Sequence, residues 1–78
     1  MKSVIIYTTP SCTFCRQAKA FFVEKNVPFL EIDVATNREK QQEMINKSGQ
    51  LGVPVFDIDG QIMVGFDRAT LSRLVGIS

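Results

Sequence analysis

Histidine is absent from the 78-residue sequence, and cysteine occurs only twice. A zinc site takes about four ligands, so two thiols without an imidazole would have to recruit carboxylates, and no metal is expected. No charge of one sign dominates. Nine Lys and Arg face eight Asp and Glu, mixed along the chain, and no basic run or stripe offers a footprint for nucleic acid or anionic lipid. Long hydrophobic runs are missing too. Met1-Lys2-Ser3 leads straight into a short apolar stretch without the length and cleavage site of a secretory signal, or the length of a membrane span. The expectation is therefore a cytoplasmic protein with no nucleic-acid or membrane partner. No internal repeat, linker or low-complexity tract interrupts the chain, so residues 1–78 read as one domain.

What is present is an apolar content of 45%, too high for disorder, in a chain too short for two conventional domains. A chain this small buries only about two-thirds of its unfolded surface, and natural proteins of such length often add a disulfide, a metal or a partner. That need directs attention to the cysteines and to where the local structure places them.

Val4-Ile5-Ile6-Tyr7 is an unbroken, largely β-branched run followed by Thr8-Thr9-Pro10-Ser11, the pattern of a buried parallel strand ending in a turn. A helix is expected next, with Ser11 as N-cap, Cys15, Ala18 and Phe22 along one apolar face, and Asn26 before Val27-Pro28 as the stop. Phe14 and Phe21 mark a second apolar edge of that helix. Phe29 to Val34 is a second strand, and the helix between makes the pair a right-handed βαβ unit. Thr36 and Glu39 form a capping box for a second helix ended by Gly49, whose only strongly apolar residues are Met44 and Ile45, so it should lie at the surface. Val55 to Ile58 and Gln61 to Val64 form a hairpin joined by Asp59-Gly60, a dipeptide suited to the type I′ turn. Asp67 can cap a last helix with Leu71, Leu74 and Val75 on one face and Gly76 at its end. The predicted order is β-α-β-α-β-β-α.

Cys12-Thr13-Phe14-Cys15 thus falls at a strand-to-helix junction, the setting in which a Cys-x-x-Cys pair reads as a redox motif. Unpaired N–H groups and the positive end of the helix dipole stabilise a thiolate at Cys12. Arg16, four residues on, is placed to add a charge-assisted contribution. Spacing of i and i+3 brings the two Cβ atoms within disulfide reach, and Cys15, on the apolar face, should be sheltered and protonated as the resolving thiol. A purely structural bridge is the main competitor, but closing so short a loop constrains the unfolded chain by only about 2 kcal/mol. Two ordinary buried thiols are the other competitor, and the position after Pro10 at a helix start speaks against it.

The chain also resembles the glutaredoxin family across nearly its whole length. The resemblance is carried by four blocks in order: Tyr7-Thr8-Thr9-Pro10-Ser11-Cys12-Thr13-Phe14-Cys15, Ala18-Lys19, Gly52-Val53-Pro54 and Gly65-Phe66-Asp67. It implies an α/β, thioredoxin-like fold with a four-stranded mixed sheet flanked by three helices. It implies a cis Val53-Pro54 bond facing the cysteines, with the Val53 backbone free to pair with an extended substrate, and Gly52 beside it permits close approach. It further implies a monomeric thiol–disulfide oxidoreductase that binds no resident cofactor and takes glutathione as co-substrate. Its partners would be disulfide-containing proteins or glutathione, recharged by the glutathione reductase system or by thioredoxin reductase.

Substrate contacts are expected at Phe14, Val53, Pro54, Gly65, Phe66 and Asp67, with Cys12 and Cys15 catalytic and Arg16 tuning Cys12. The pattern departs from glutathione-using members where those commonly carry a lysine near Thr8, a threonine at Gly52 and Gly-Cys-Asp-Asp in place of Gly65-Phe66-Asp67-Arg68. Asp67 reads equally as an ordinary N-cap or as a cap that also meets the glutathione ammonium group. Arg16 and Lys19 read as solvated charges or as groups that tune Cys12 and attract anionic glutathione. The alternative functions are a thioredoxin-reductase-dependent hydrogen donor of the ribonucleotide reductase type, or an iron–sulfur cluster carrier.

Overall fold

A computed structural model describes residues 3–76. Its elements are β1 (Val4–Thr8), α1 (Thr13–Glu24), β2 (Leu30–Asp33), α2 (Arg38–Ser48), β3 (Val55–Ile58), β4 (Gln61–Val64) and α3 (Arg68–Val75), in the order expected. The sheet runs β2-β1-β3-β4, with β1 and β2 parallel and the other two neighbouring pairs antiparallel.

Alternation along the strands divides the core in two. Val4, Ile6, Phe56 and Ile58 face one side and are buried against Ala18, Phe21 and Phe22 of α1 and Leu71 of α3. Phe22 holds this side together, with its ring 5.2 Å from Phe29 and 6.0 Å edge-on from Phe56, a geometry that aromatic quadrupoles favour. On the opposite side Tyr7 and Val55 meet Met44 of α2, with Val34 beside them. Met44 is the one fully buried residue of α2, which accordingly lies on the surface.

Turn chemistry follows the expectations at the hairpin and at the end of α2. Asp59 and Gly60 take φ of 52° and 89°, the two positive values that a type I′ turn needs. Gly49 closes α2 at φ 75°, where its N–H reaches the carbonyl of Ile45.

Three local expectations are corrected. The N-cap of α1 is Cys12 and not Ser11: Cys12 has extended dihedrals and its sulfur accepts from the N–H of Cys15. Asn37, not Thr36, caps α2, because its Oδ1 reaches the N–H of Lys40 at 3.1 Å and the side chain of Glu39 takes no part. Phe14 and Phe21 share no apolar edge. Phe21 is buried between Phe22 and Phe66, whereas Phe14, in the first turn of α1, is 58% exposed.

Candidate functional site

The site is built where β1 ends. The carbonyl of Thr8 accepts from Val34 and completes the β2 pairing, and the chain then turns through Pro10, with Cys12 N–H donating to Thr9 O at 3.2 Å. That turn delivers Cys12 to the N-cap, partly exposed, with its sulfur 3.1 Å from the Cys15 amide. Cys15 begins the buried face of α1 and is only 1% exposed. The pair is present as the disulfide, with Cα atoms 5.2 Å apart, within the usual range for bridged cysteines. An N-cap sulfur takes the place of the usual serine or aspartate oxygen. The amide that satisfies a helix start is therefore the same group that would favour a Cys12 thiolate on reduction. The first turn of α1 carries no acidic residue to oppose that charge.

Arg16 lies one turn further on, where its backbone N–H donates to the Cys12 carbonyl and its guanidinium to the carbonyl of Pro10 at 3.3 Å. It thereby braces the turn that presents Cys12. Lys19 is committed elsewhere: its ammonium bonds Glu31 Oε2 at 2.8 Å, and the same oxygen accepts from the buried Thr8 hydroxyl at 2.8 Å. Both contacts hold the Glu31 carboxyl below its usual range, Lys19 first.

Antiparallel pairing brings the second block alongside. Tyr7 lies opposite Val55, and Val55 opposite Val64, so the end of β1, the start of β3 and the end of β4 occupy one end of the sheet. The Val53-Pro54 bond at that end is cis, and Pro54 is buried. The Pro54 carbonyl accepts from Gly65 at 3.0 Å, which ties the block leading into α3 to the cis-proline loop. Cys12, Val53, Pro54 and Gly65 are thus gathered at one end by the topology, although 53 positions separate the first from the last. Phe14 stands exposed in the first turn of α1 at the same end.

Phe66 and Asp67 are engaged within the protein. The Phe66 ring meets Phe21 edge-on at 6.3 Å. Asp67 caps α3, with Oδ1 accepting from Ala69 and Thr70 amides and Oδ2 from the Thr70 hydroxyl at 2.8 Å. These bonds, the Thr70 hydroxyl first, keep its carboxyl ionised to below the usual range. Arg68 lays its guanidinium over the Phe21 ring at 4.8 Å and reaches Glu24 at 3.7 Å, which directs it along α1 toward the helix C-terminus.

Sequence reasoning missed the Thr8–Glu31–Lys19 group. Glu31 is 23 positions from Thr8 and 12 from Lys19, so no local pattern links them. Only the alternation that puts Thr8 and Glu31 on the α1 side of paired strands hints at it.

A Cys-x-x-Cys pair at the start of the first helix of a thioredoxin-like fold, with a cis-proline at the same end of the sheet, is the arrangement of the thiol–disulfide oxidoreductases. The Glutaredoxin family model matches residues 4–63. The chain is 41% identical over 70 residues to a glutaredoxin-like 8.6 kDa protein in the rubredoxin operon of Clostridium pasteurianum, covering 90% of this chain and 93% of the relative. It is 42% identical over 67 residues to Glutaredoxin 3 of Escherichia coli K12, covering 86% and 81%. Among solved structures, a mutant of the thioredoxin-like protein BC3987 superposes with TM-score 0.92 at 28% identity, with both chains fully covered. The chain belongs to the glutaredoxin family and is a thiol–disulfide oxidoreductase bearing the Cys12-x-x-Cys15 pair.

Proposed function

We propose that this chain reduces disulfides of proteins, and mixed disulfides with glutathione, by a dithiol cycle in which Cys12 attacks and Cys15 resolves. The observation that carries the reading is the Cys12 sulfur at the N-cap, bonded by the Cys15 amide, and bridged to a Cys15 that is fully sheltered. The Cys12 thiolate attacks one sulfur of the substrate disulfide, forming a mixed disulfide and expelling the other sulfur as a thiolate. Cys15 then loses its proton and attacks the Cys12 sulfur, releasing the second substrate thiolate and leaving the Cys12–Cys15 bridge. Two electrons from an external thiol reductant reopen it. The Val53 backbone, at the cis-proline, pairs with the substrate main chain, and Phe14 packs on its side chains.

The identity of the reductant turns on Asp67. Both of its carboxylate oxygens already accept bonds from the start of α3, so an incoming glutathione ammonium has to share them. This favours reduction by thioredoxin reductase as a second route, with the chain serving as a hydrogen donor. NADPH oxidation by the pre-oxidised protein, coupled to a model disulfide, is to be measured once with glutathione and glutathione reductase and once with thioredoxin reductase. Turnover in the first mixture identifies a glutathione-dependent enzyme, and turnover in the second a thioredoxin-like donor. No turnover in either refutes the proposal, as does a Cys12→Ser variant as active as the parent. A Cys15→Ser variant is expected to trap protein substrates as covalent mixed disulfides.

A further inference from the structure

The cysteine cycle leaves unused a polar cluster on the opposite side of the sheet. Tyr7 is completely buried, yet its hydroxyl has two partners: it donates to Glu43 Oε2 and accepts from Lys47 Nζ at 2.9 Å. Lys47 also donates to Asp57 Oδ2 at 2.7 Å and stands 3.8 Å from Glu43. One ammonium group therefore bridges α2, β1 and β3. Hydrogen bonding to Asp57 and Tyr7 raises its pKa above the ordinary lysine range, so it remains a cation. Tyr7 is held protonated, chiefly by burial and then by Glu43.

The position of this bridge gives it a consequence. Tyr7 pairs with Val55, the residue directly after Pro54. Lys47 is in the last turn of α2, where Ser48 Oγ binds the Met44 carbonyl at 2.7 Å and accepts from the Gln50 amide at 3.2 Å. Residues 50–53 then run across the surface to the cis bond, with Gln50, Leu51 and Gly52 exposed. On its far side the cis-proline loop is secured by the sheet and by the Gly65 amide. On its near side it is secured by the exit of α2.

We infer that Lys47 is a positioning residue for substrate recognition: by clamping the end of α2 to Tyr7 and Asp57 it sets the place of the Val53 backbone. The inference rests on the proposed pairing of Val53 with substrate main chain. A small misplacement of a binding group far from the chemistry is enough to weaken catalysis by up to about a hundredfold. The cluster does not touch Cys12, so the intrinsic reactivity of the thiolate should be independent of it.

The test is single-turnover oxidation of the pre-reduced protein, followed against insulin, which offers a main chain to Val53, and against hydroxyethyl disulfide, which offers none. Lys47→Met keeps the aliphatic stem and removes the cation. It is expected to raise the half-saturating insulin concentration about tenfold with the limiting rate unchanged, and to leave the rate with hydroxyethyl disulfide as in the parent. Lys47→Arg should restore most of the insulin affinity. Tyr7→Phe, which deletes a single hydroxyl, should shift half-saturation in the same direction by less, and it replaces Lys47→Met should that variant fail to fold. Equal losses on both disulfides, or none on either, overturn the inference. A parent protein that reduces neither disulfide refutes the proposed function instead, so the two failures are distinguishable.

Discussion

Replacing Thr8 by valine isolates one buried hydrogen bond next to the site. The Thr8 side chain is 1% exposed and donates to Glu31 Oε2 at 2.8 Å. A hydrogen bond to a charged acceptor contributes about 1.5–3 kcal/mol, but the Glu31 side chain is 39% exposed and regains water when the hydroxyl is lost. The expected cost of Thr8→Val therefore falls below that range, at about 1 kcal/mol, or about 5 °C in Tm for a chain of this size. Lys19→Met removes an ion pair in which both side chains are about one-third exposed, and solvent screening holds its cost to about 0.5 kcal/mol. The expected order is thus Thr8→Val above Lys19→Met. A double-mutant cycle of Thr8→Val with Glu31→Met, which leaves the hydroxyl no acceptor at that position, should give a coupling energy of about 1 kcal/mol. Urea unfolding followed by circular dichroism, with the cysteines oxidised throughout, supplies all the values. The reasoning is refuted if Lys19→Met costs more than Thr8→Val, or if the cycle shows no coupling.

Two further predictions concern the exposed edge of the site and the response to acid. Phe14→Ala should change stability by less than about 0.5 kcal/mol, because the ring is 58% exposed, while raising the half-saturating concentration of a protein disulfide several-fold. A loss of stability well beyond that, with unaltered substrate affinity, would assign Phe14 to the core. Glu31, Glu43 and Asp57 all have carboxyl groups held below their ordinary range, by Lys19, by Tyr7 and by Lys47 in turn. Each binds its proton less tightly in the folded protein, so its contribution is complete above the unfolded carboxylate pKa of about 4 and is lost as pH falls through the depressed folded values. Urea midpoints should hold steady from pH 7 to about 5 and decline below about 4. A midpoint that is flat on acidification would mean that these pairings do not form in solution.

Much of the architecture was legible in the sequence because it is written in short-range signals. The Asp59-Gly60 hairpin, the Gly49 stop, the Asp67 cap and the apolar spacing of Cys15, Ala18 and Phe22 each depend on a few neighbouring residues, and each stands where it was expected. The cysteine pair was legible for the same reason, since i and i+3 at the start of a helix meet whatever the rest of the chain does. The cis Val53-Pro54 bond was accessible only through family resemblance, because local preference for cis at an X-Pro bond is weak.

Tertiary structure alone decided the remainder. The sequence pointed to Ser11 as the cap, and the turn at Thr9 instead placed the Cys12 sulfur over the Cys15 amide. No local pattern in the sequence singles out Lys47, Glu31 or Asp57. Their partners lie 40 positions away for Lys47 with Tyr7, 23 for Glu31 with Thr8 and 10 for Asp57 with Lys47. Hydrophobic periodicity records which face of an element is buried, because burial repeats with the turn of the helix or the pleat of the strand. A side-chain hydrogen bond between distant segments occurs once and leaves no period, so it exists only after the strands have paired and the helices have docked.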